Sequence, residues 1–232
     1  MPRWLKRVRV ELEKEKDLLN RGEKEGVTFM LDEEMHANTD SDGGYDSPIE
    51  QFKNLIGYIK GPPETPYADG IFKLAIEVGT NYPLQPPKMR FITIPWHPNV
   101  GSQTGAICID ILKSGEWSPM MHIRSSLLSL QCLLQAPNAD DPQDAVVAQQ
   151  YLNQTHLWER TAKEWTSERA LPSSAMKNIF SPAADPYTPI FRKISASVKK
   201  CRNKNVAGMS TRNVGGGSVL RDREECSICL LS

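Results

Sequence analysis

The pattern of hydrophobic and polar positions divides the chain into helical and extended segments. Across residues 3–20, apolar side chains recur at helical spacing among charged ones, which predicts an amphipathic helix. The apolar positions of this helix are Leu5, Val8, Leu12 and Leu19. Residues 71–78 alternate with a period of two instead, which predicts a strand with one buried face. The inward positions of the strand are Phe72, Leu74, Ile76 and Val78, and the outward ones are Lys73 and Glu77.

Two further extended segments place this strand in an antiparallel arrangement. Residues 51–60 and 88–94 are rich in the side chains that strands prefer. The connection "GPPETPYADG" holds three prolines and two glycines, which is typical of an ordered hairpin loop. Three strands with short connections predict an antiparallel meander.

The second half of the chain changes to helical periods. Residues 125–136 carry no charge and include five leucines, so we expect a buried helix that ends before Pro137, with Cys132 as a core residue. In "DDPQDAVV" we predict Asp141 as a helix N-cap with Pro142 at the first helical position. A last helix is predicted over residues 155–169, with three side chains turned inward. These are Trp158, Ala162 and Trp165.

The charge distribution separates a core from an extension. Residues 1–170 carry 18 Lys and Arg against 24 Asp and Glu, whereas residues 171–232 carry 10 against 4. Within the core, residues 32–50 form an insert with seven acidic side chains and no Lys or Arg, which is typical of a loop. We therefore predict a core over 1–170 and a loose basic C-terminal extension over 171–232.

Composition limits the classes of protein that the chain can belong to. Hydrophobic residues make up 39% and charged residues 24%, as in soluble globular proteins. No apolar run reaches about 18 residues, and the charged N-terminus does not fit a signal peptide. Five unevenly spaced cysteines favour a reducing compartment, so we expect a cytoplasmic or nuclear protein. Neither nucleic acid nor a metal ion is an expected ligand.

The stretch "HPNVGSQTGAICID" (97–110) concentrates the candidate chemistry. It holds a stiff His97-Pro98-Asn99, a glycine turn, Cys108, and Asp110 two residues later. From this stretch alone, Cys108 is equally well a nucleophile, a metal ligand or a small buried residue. A Cys–His dyad of the hydrolase type is also conceivable for Cys108 with His97.

Several ordered motifs narrow these alternatives. They are "GPPETPY", "YPLQPPKMRFIT", "WHPNV" leading into "GAICIDIL", "EWSP" and "PNADDPQDAVV". In this order they resemble the catalytic core of the ubiquitin-conjugating enzymes over residues 3–170. The wording is similar to the chain-building subclass that carries a ubiquitin-associated domain after the core. The resemblance implies an α/β (α+β) fold with an N-terminal helix, a four-stranded antiparallel meander and three further helices. It places the fourth strand just before Cys108.

The resemblance also implies roles for individual residues. Cys108 would carry ubiquitin as a thioester, and Asn99 would donate to the oxyanion, tie down the loop, or do both. His97 would hold the loop, Pro98 would stiffen it, and Asp110 would support it. Asp141 would orient the incoming lysine or cap the helix, and Asp140 would take the other task. We further expect a modestly reactive Cys108 thiol, because no Lys or Arg precedes Lys113 nearby.

The partners implied are ubiquitin, the activating enzyme and ligases of the RING or HECT type. No cofactor is implied, since ATP is used by the activating enzyme. Arg7 and Arg9 would meet the activating enzyme and ligases, or simply form a solvated face. Leu84, Ser118 and Pro119 match the two loops that ligases contact, although the family often has Phe in place of Leu84. Open alternatives are transfer of a ubiquitin-like modifier, a non-catalytic module that binds ubiquitin or a ligase, and a cysteine hydrolase.

The end of the chain supports two conflicting interpretations. "CLLS" from Cys229 fits a prenylation box, with Cys226 as a possible palmitoylation site, and membrane binding is expected only if Cys229 is prenylated. Residues from about 187 also resemble a degenerate ubiquitin-associated domain, although "NVGGGSV" (213–219) would interrupt its second helix. Plain disorder is the third possibility, and a zinc site at these cysteines lacks further ligands.

Overall fold

The computed structural model describes residues 1–22, 26–32, 50–113, 115–175 and 179–180. The chain divides into two units. Every strand and every helix of the described residues belongs to the unit Trp4–Asp185, except for Arg3, the first residue of the first helix. Most of the acidic insert and all of the extension after residue 180 lie outside the described residues. The predicted core boundary and the tail's possible ubiquitin-associated domain therefore stay predictions.

The fold is an antiparallel sheet with helices before and after it. In chain order the elements are α1 (Arg3–Asn20), β1 (Val27–Leu31), β2 (Asn54–Lys60), β3 (Gly70–Glu77), β4 (Lys88–Phe91), α2 (Ile123–Gln135), α3 (Ala145–Asn153), α4 (Thr155–Arg169) and β5 (Leu171–Pro172). Short 3-10 turns cover Glu50–Lys53, Asp110–Leu112 and Ser173–Ala175. The main sheet has the order β1-β2-β3-β4, and the two-residue β5 pairs with the start of β3. The predicted α+β class and its four helices are confirmed.

The strand β3 is buried at its predicted inward positions, and Ile71 on the other face is buried as well. Phe72, Leu74 and Ile76 are buried, whereas Glu77 is exposed. Its register with β2 runs from Asn54 opposite Glu77 to Lys60 opposite Ile71. The predicted hairpin loop is ordered by a local hydrogen bond from the Thr65 hydroxyl to the Pro62 carbonyl, 2.7 Å long.

The fourth strand is not where the resemblance placed it. In the described segment from 92 to 107, directly before Cys108, the chain forms two isolated bridges instead of a strand, Arg90 with Ala106 and Val100 with Ile107. The fourth strand is β1, which precedes the others and pairs along its whole length with β2. Sequence periodicity missed it because the VTFML segment is buried at four of five positions, with no alternation to mark it.

The helix α1 is amphipathic as predicted, but two of its acidic residues are buried with the apolar ones. Glu15 accepts two hydrogen bonds from the Arg124 guanidinium, of 2.8 and 2.9 Å. Glu11 accepts from the Tyr82 hydroxyl at 2.6 Å and from the Ile123 backbone N–H at 2.8 Å. A carboxylate this deeply buried is tolerated because donors surround it. Glu11 therefore ties α1 to the start of α2 and to the loop that contains Tyr82.

The prediction that Cys132 is a core residue is wrong. Its side chain is exposed on α2, whereas the buried face of that helix is formed by other residues. These are Ile123, Ser126, Leu127, Leu130 and Leu134. Successive buried positions lie three or four apart, which leaves Cys132 on the opposite side of the helix. Ser125 and Gln135 lie on the same side of the helix as Cys132 and are exposed too, so the polar positions of the segment already marked that side.

The predicted N-cap at Asp141 is also wrong. The helix α3 begins at Ala145, and its cap is Asp144, whose side chain accepts from the Val146 and Val147 backbone N–H groups. Asp140 does not cap either; its backbone N–H donates to the Asn138 side chain. Asp141 is thus released from the structural task that competed with its proposed chemical one.

The helix α4 follows its predicted bounds, with one difference in burial. Trp158 and Ala162 are buried, but Trp165 is half-buried and lies against the Trp96 ring at 4.7 Å between centroids. The Arg169 guanidinium covers the Trp165 ring at 3.4 Å. Among the helices of the described part, none is long and apolar enough to cross a membrane.

Candidate active site

The segment His97-Pro98-Asn99, called the HPN segment below, is almost completely buried. The His97 Nδ1 accepts from the Asn99 backbone N–H at 3.0 Å, and its Nε2 lies 2.9 Å from the Leu133 carbonyl. Burial lowers the pKa of His97 to about 4, so the ring is neutral at physiological pH. A neutral ring with Nδ1 as acceptor donates from Nε2 to the carbonyl. Both nitrogens are engaged in holding the loop, as predicted for this histidine.

The other two residues of the HPN segment hold the chain that leads into α3. The Pro98 carbonyl accepts from the Gln143 and Asp144 backbone N–H groups, each at 2.9 Å. The Asn99 amide donates to the carbonyls of Asn138 and Asp141 at 2.7 and 3.0 Å, and its oxygen accepts from the Asn138 N–H at 2.9 Å. The loop-tying role of Asn99 is therefore present in the structure. Because both amide N–H groups already have acceptors, its oxyanion role stays a prediction.

The same segment fixes the position of Cys108. The Cys108 backbone N–H donates to the Asn99 carbonyl at 3.0 Å, after the chain has turned back through the glycine turn. In that turn Gly105 has a φ of 69°, and a Cβ there would lie 2.0 Å from the Phe91 carbonyl oxygen. Only glycine fits such a position. The glycine turn thus places residues 100–108, which we call the cysteine hairpin, against the edge of β4.

Three charged or ionisable side chains meet at the surface beside Cys108. The Cys108 thiol donates to the Asp141 Oδ2 at 3.4 Å, within the range for sulfur. The Lys113 ammonium lies 2.9 Å from that same oxygen and 2.7 Å from Asp110 Oδ1. The sequence predictions placed Asp141 and Asp110 near Cys108, and the structure brings both there. They did not identify Lys113 as the residue that joins them.

The surroundings shift the acidity of these groups in opposite directions. Partial burial raises the pKa of the Cys108 thiol, and the Asp141 carboxylate raises it further, against a smaller opposing effect of Lys113. Hydrogen bonds from Lys113, and then from Cys108, hold the pKa of Asp141 below its usual value. The carboxylates of Asp110 and Asp141 raise the pKa of Lys113. At neutral pH the site therefore contains a protonated thiol, two carboxylates and an ammonium.

The helix cap Asp144 is a further site residue that the sequence analysis did not single out. Besides capping α3, it accepts from the Ser102 hydroxyl at 2.6 Å and from the Ser102 backbone N–H at 3.2 Å. Burial alone would raise its pKa, but these bonds and those from α3 lower it overall. Asp144 thereby joins the cysteine hairpin to α3. The sequence signal was present, because Asp144 directly precedes the apolar run of α3.

A second exposed surface combines the two predicted ligase loops. The Trp117 indole donates to the Pro83 carbonyl at 2.7 Å, and its ring lies 6.2 Å from that of Tyr82. Leu84 is 74% exposed and Pro119 is exposed, while Ser118 is half-buried. Met120, which was not predicted from the sequence, is 85% exposed in the same loop. The structure brings the predicted loop residues together, but their contact with a ligase stays a prediction.

The two arginines that were predicted to contact partners, Arg7 and Arg9, both make contacts within the chain. The Arg7 guanidinium bonds inward to Glu11, to the Met121 carbonyl at 2.9 Å and to the His122 ring. Arg9 lies 3.7 Å from Glu13 on the same helix. Arg7 therefore also holds the loop before α2 against α1. A contact of either arginine with another protein stays a prediction.

No three His, Cys, Asp or Glu side chains converge in the described ranges in a way that would hold a metal ion. The predicted lipidation sites Cys226 and Cys229 lie outside those ranges. The chemistry available here is that of a thiol next to a carboxylate.

Comparison with known proteins identifies the fold around this thiol. The profile of the ubiquitin-conjugating enzyme family matches residues 28–166, which include the whole site. The chain belongs to the ubiquitin-conjugating enzyme family. Human ubiquitin-conjugating enzyme E2 K is 53% identical over 116 residues, which cover 50% of this chain and 58% of that protein. Ubiquitin-conjugating enzyme E2 27 of Arabidopsis thaliana is 46% identical over 143 residues, covering 61% of this chain and 74% of that protein.

A solved structure of the family agrees with the fold. The E2 domain of a Toxoplasma gondii ubiquitin conjugating enzyme is 40% identical, with a TM-score of 0.56, over 70% of this chain and 99% of that one. The matches thus concentrate on the core that contains Cys108, whereas the E2 K match spans only 58% of that relative's length.

Replacement of either charged neighbour should move the pKa of the Cys108 thiol in a defined direction. Asp141→Asn removes a carboxylate that favours the protonated thiol, so the pH profile of alkylation at Cys108 should shift to lower pH. Lys113→Met removes a cation that favours the thiolate, so its profile should shift to higher pH. Mass spectrometry of the Cys108 peptide measures the rate at Cys108 alone. Shifts of equal sign in the two variants would contradict the arrangement.

Proposed function

We propose that this chain accepts ubiquitin as a thioester on Cys108 and passes it to lysine side chains, usually with the help of a ligase. The observation that carries the proposal is the Cys108 thiol held 3.4 Å from the Asp141 carboxylate, inside the region that matches the family. A half-buried thiol on a turn is accessible to another protein's thioester, which a core cysteine is not.

In the loading step, the Cys108 sulfur attacks the carbonyl carbon of the thioester on the activating enzyme. A C–S bond to Cys108 forms, the C–S bond to the activating enzyme breaks, and that enzyme's thiol leaves with the proton. The activating enzyme uses ATP to make its own thioester, so this chain needs no cofactor for the exchange.

In the transfer step, the neutral amine of a lysine attacks the thioester carbonyl of Cys108. The N–C bond forms, the C–S bond breaks, and the proton lost from nitrogen is returned to the sulfur as the thiol is regenerated. A carboxylate near the carbonyl can orient the amine and favour loss of its proton, and Asp141 is placed for that task. Since Asp141 caps no helix, it can serve the incoming amine without giving up a helix cap.

The raised pKa of Cys108 suits a carrier. A thiolate with a high pKa is a poorer leaving group, so the thioester resists attack by water and stray amines until a positioned lysine arrives. The protonated thiol also contrasts with hydrolase cysteines, whose activity depends on a depressed pKa. His97 is buried with both nitrogens bonded, which argues against its service as a hydrolase base.

We propose the activating enzyme and RING or HECT ligases as partners, with the joined loops around Leu84 and Met120 as the ligase surface. The cytoplasm or nucleus is the proposed location, with a membrane only if Cys229 is prenylated. A different modifier remains the main alternative to ubiquitin, and a non-catalytic binding module is disfavoured by the presence of Cys108. Charging with each activating enzyme and modifier in turn distinguishes these alternatives.

The first prediction of the proposal concerns the two cysteines described by the structure. After incubation with activating enzyme, ATP and ubiquitin, the wild type should show an adduct on a non-reducing gel that a thiol reductant removes. Cys108→Ala should abolish the adduct, and Cys108→Ser should give an ester that resists reductant. Cys132→Ala is the matched control and should charge normally, with a stability change within about 0.5 kcal/mol because the side chain is exposed. An adduct that survives in Cys108→Ala would refute the site.

The second prediction separates chemistry from structure among neighbouring residues. In single-turnover discharge to free lysine, Asp141→Ala should slow transfer by about 10²-fold or more while its melting temperature stays near wild type. Asp144→Ala loses a cap and should lower stability by about 1 kcal/mol. Asn99→Ala should show both effects, because it loses three loop hydrogen bonds. If Asp141→Ala discharged normally, the carboxylate would have no part in transfer.

A further inference from the structure

The Lys113 ammonium lies beside Asp141, at the position that an acceptor amine would take in the proposed transfer step. Its ammonium contacts the Asp141 oxygen that also accepts from the Cys108 thiol, at 2.9 and 3.4 Å respectively. Its second contact is Asp110 Oδ1 at 2.7 Å, three residues earlier in the chain. All three charged side chains are at least half exposed, so solvent and other proteins reach them. Lys113 is thus a cation already bound to the carboxylate that should receive an acceptor amine.

Acylation of Cys108 alters this arrangement. The thiol proton is lost when the thioester forms, so the hydrogen bond from Cys108 to Asp141 ends and Asp141 keeps only Lys113. An acceptor lysine in water is an ammonium and must lose a proton beside the thioester before it attacks. If it approached Asp141 with Lys113 in place, two cations would share one carboxylate oxygen, and their repulsion would oppose binding.

We propose that Lys113 occupies the acceptor position at Asp141 and that a cationic acceptor reaches the thioester only by displacing it. The inference rests on the proposed function and concerns the selectivity of that same site. Asp110 makes the displacement feasible, because Lys113 can release Asp141 and keep its shorter contact with Asp110. Lys113 therefore disfavours random amines from solution, and it yields to a lysine that a ligase or a bound substrate holds in place. Its function is competitive positioning, since it does not touch the reacting atoms.

The experiment uses the full chain charged on Cys108 and isolated from the activating enzyme, so that loading does not affect the rates. Discharge is followed over a range of free lysine concentrations for the wild type, Lys113→Met and Lys113→Arg. Methionine keeps much of the stem but removes the charge, and arginine keeps the charge that bridges the two carboxylates. We expect Lys113→Met to lower KM for lysine about two- to fivefold, the scale of an exposed ion pair, whereas the effect of the charge on Cys108 as a leaving group appears in kcat. Lys113→Arg should retain the wild-type KM.

A second nucleophile distinguishes competition from general shielding. Hydroxylamine is mostly uncharged at neutral pH, so it does not compete with Lys113 for Asp141, and its discharge rate reports the reactivity of the thioester itself. The ratio of the lysine rate to the hydroxylamine rate at low lysine concentration should rise about two- to fivefold in Lys113→Met and stay at the wild-type value in Lys113→Arg. A KM for lysine that is unchanged or raised in Lys113→Met would overturn the proposal. Equal acceleration of lysine and hydroxylamine in that variant would overturn it too, since Lys113 would then only cover the thioester. Failure of the wild type to charge at all would instead refute the proposed function.

Discussion

The architecture of the active site depends on the buried hydrogen bonds of the HPN segment. His97 binds the end of α2, Pro98 and Asn99 bind the chain before α3, and the Asn99 carbonyl receives the backbone of Cys108. The Cys108 thiol and the Asp141 carboxylate lie 33 residues apart in sequence, yet both residues are hydrogen-bonded through their backbone to Asn99. Buried polar groups cost free energy when they are unpaired. Any other arrangement of the loop would break some of these hydrogen bonds and is therefore less stable.

In this arrangement the atoms that hold the site in place are buried, and the atoms at its surface are different ones. The HPN segment is buried and holds backbone, whereas the groups that react or exchange partners are side chains at the surface. The Cys108 thiol is only partly buried, and Lys113 and Asp141 are half exposed or more. The proposed carrier would meet several large proteins in turn, so its reactive groups would have to be reachable while their spacing stays constant. A buried frame under an exposed thiol satisfies both needs.

Sequence alone predicted the parts of this structure that local patterns determine. Alternation located β3, and helical spacing located α1 and α4. The ordered motifs singled out Cys108, Asn99 and Asp141, which the structure brings together. The errors had two causes. In α2 the apolar face formed by Leu127, Leu130 and Leu134 excludes Cys132, and that spacing was not used to place it. The almost continuously buried β1 showed no alternation. The contacts of Lys113 were out of reach for another reason. Its bond to Asp141 joins residues 28 apart, which only the folded loops bring together. The start of α3 also depends on a tertiary contact. The backbone N–H groups of Gln143 and Asp144 both donate hydrogen bonds to the Pro98 carbonyl, and these two bonds fix which aspartate caps the helix.

The central claim is that Asn99 places Asp141 beside the thiol, and a double-mutant cycle on the Cys108 pKa tests it most directly. The pH profile of alkylation at Cys108 would be measured in the wild type, Asn99→Ala, Asp141→Asn and the double variant. If Asn99 holds the carboxylate in place, Asp141→Asn should change the pKa of Cys108 in the wild-type background and have little effect once Asn99 is replaced. Equal shifts in both backgrounds would show that Asp141 reaches the thiol without Asn99, which would contradict the account.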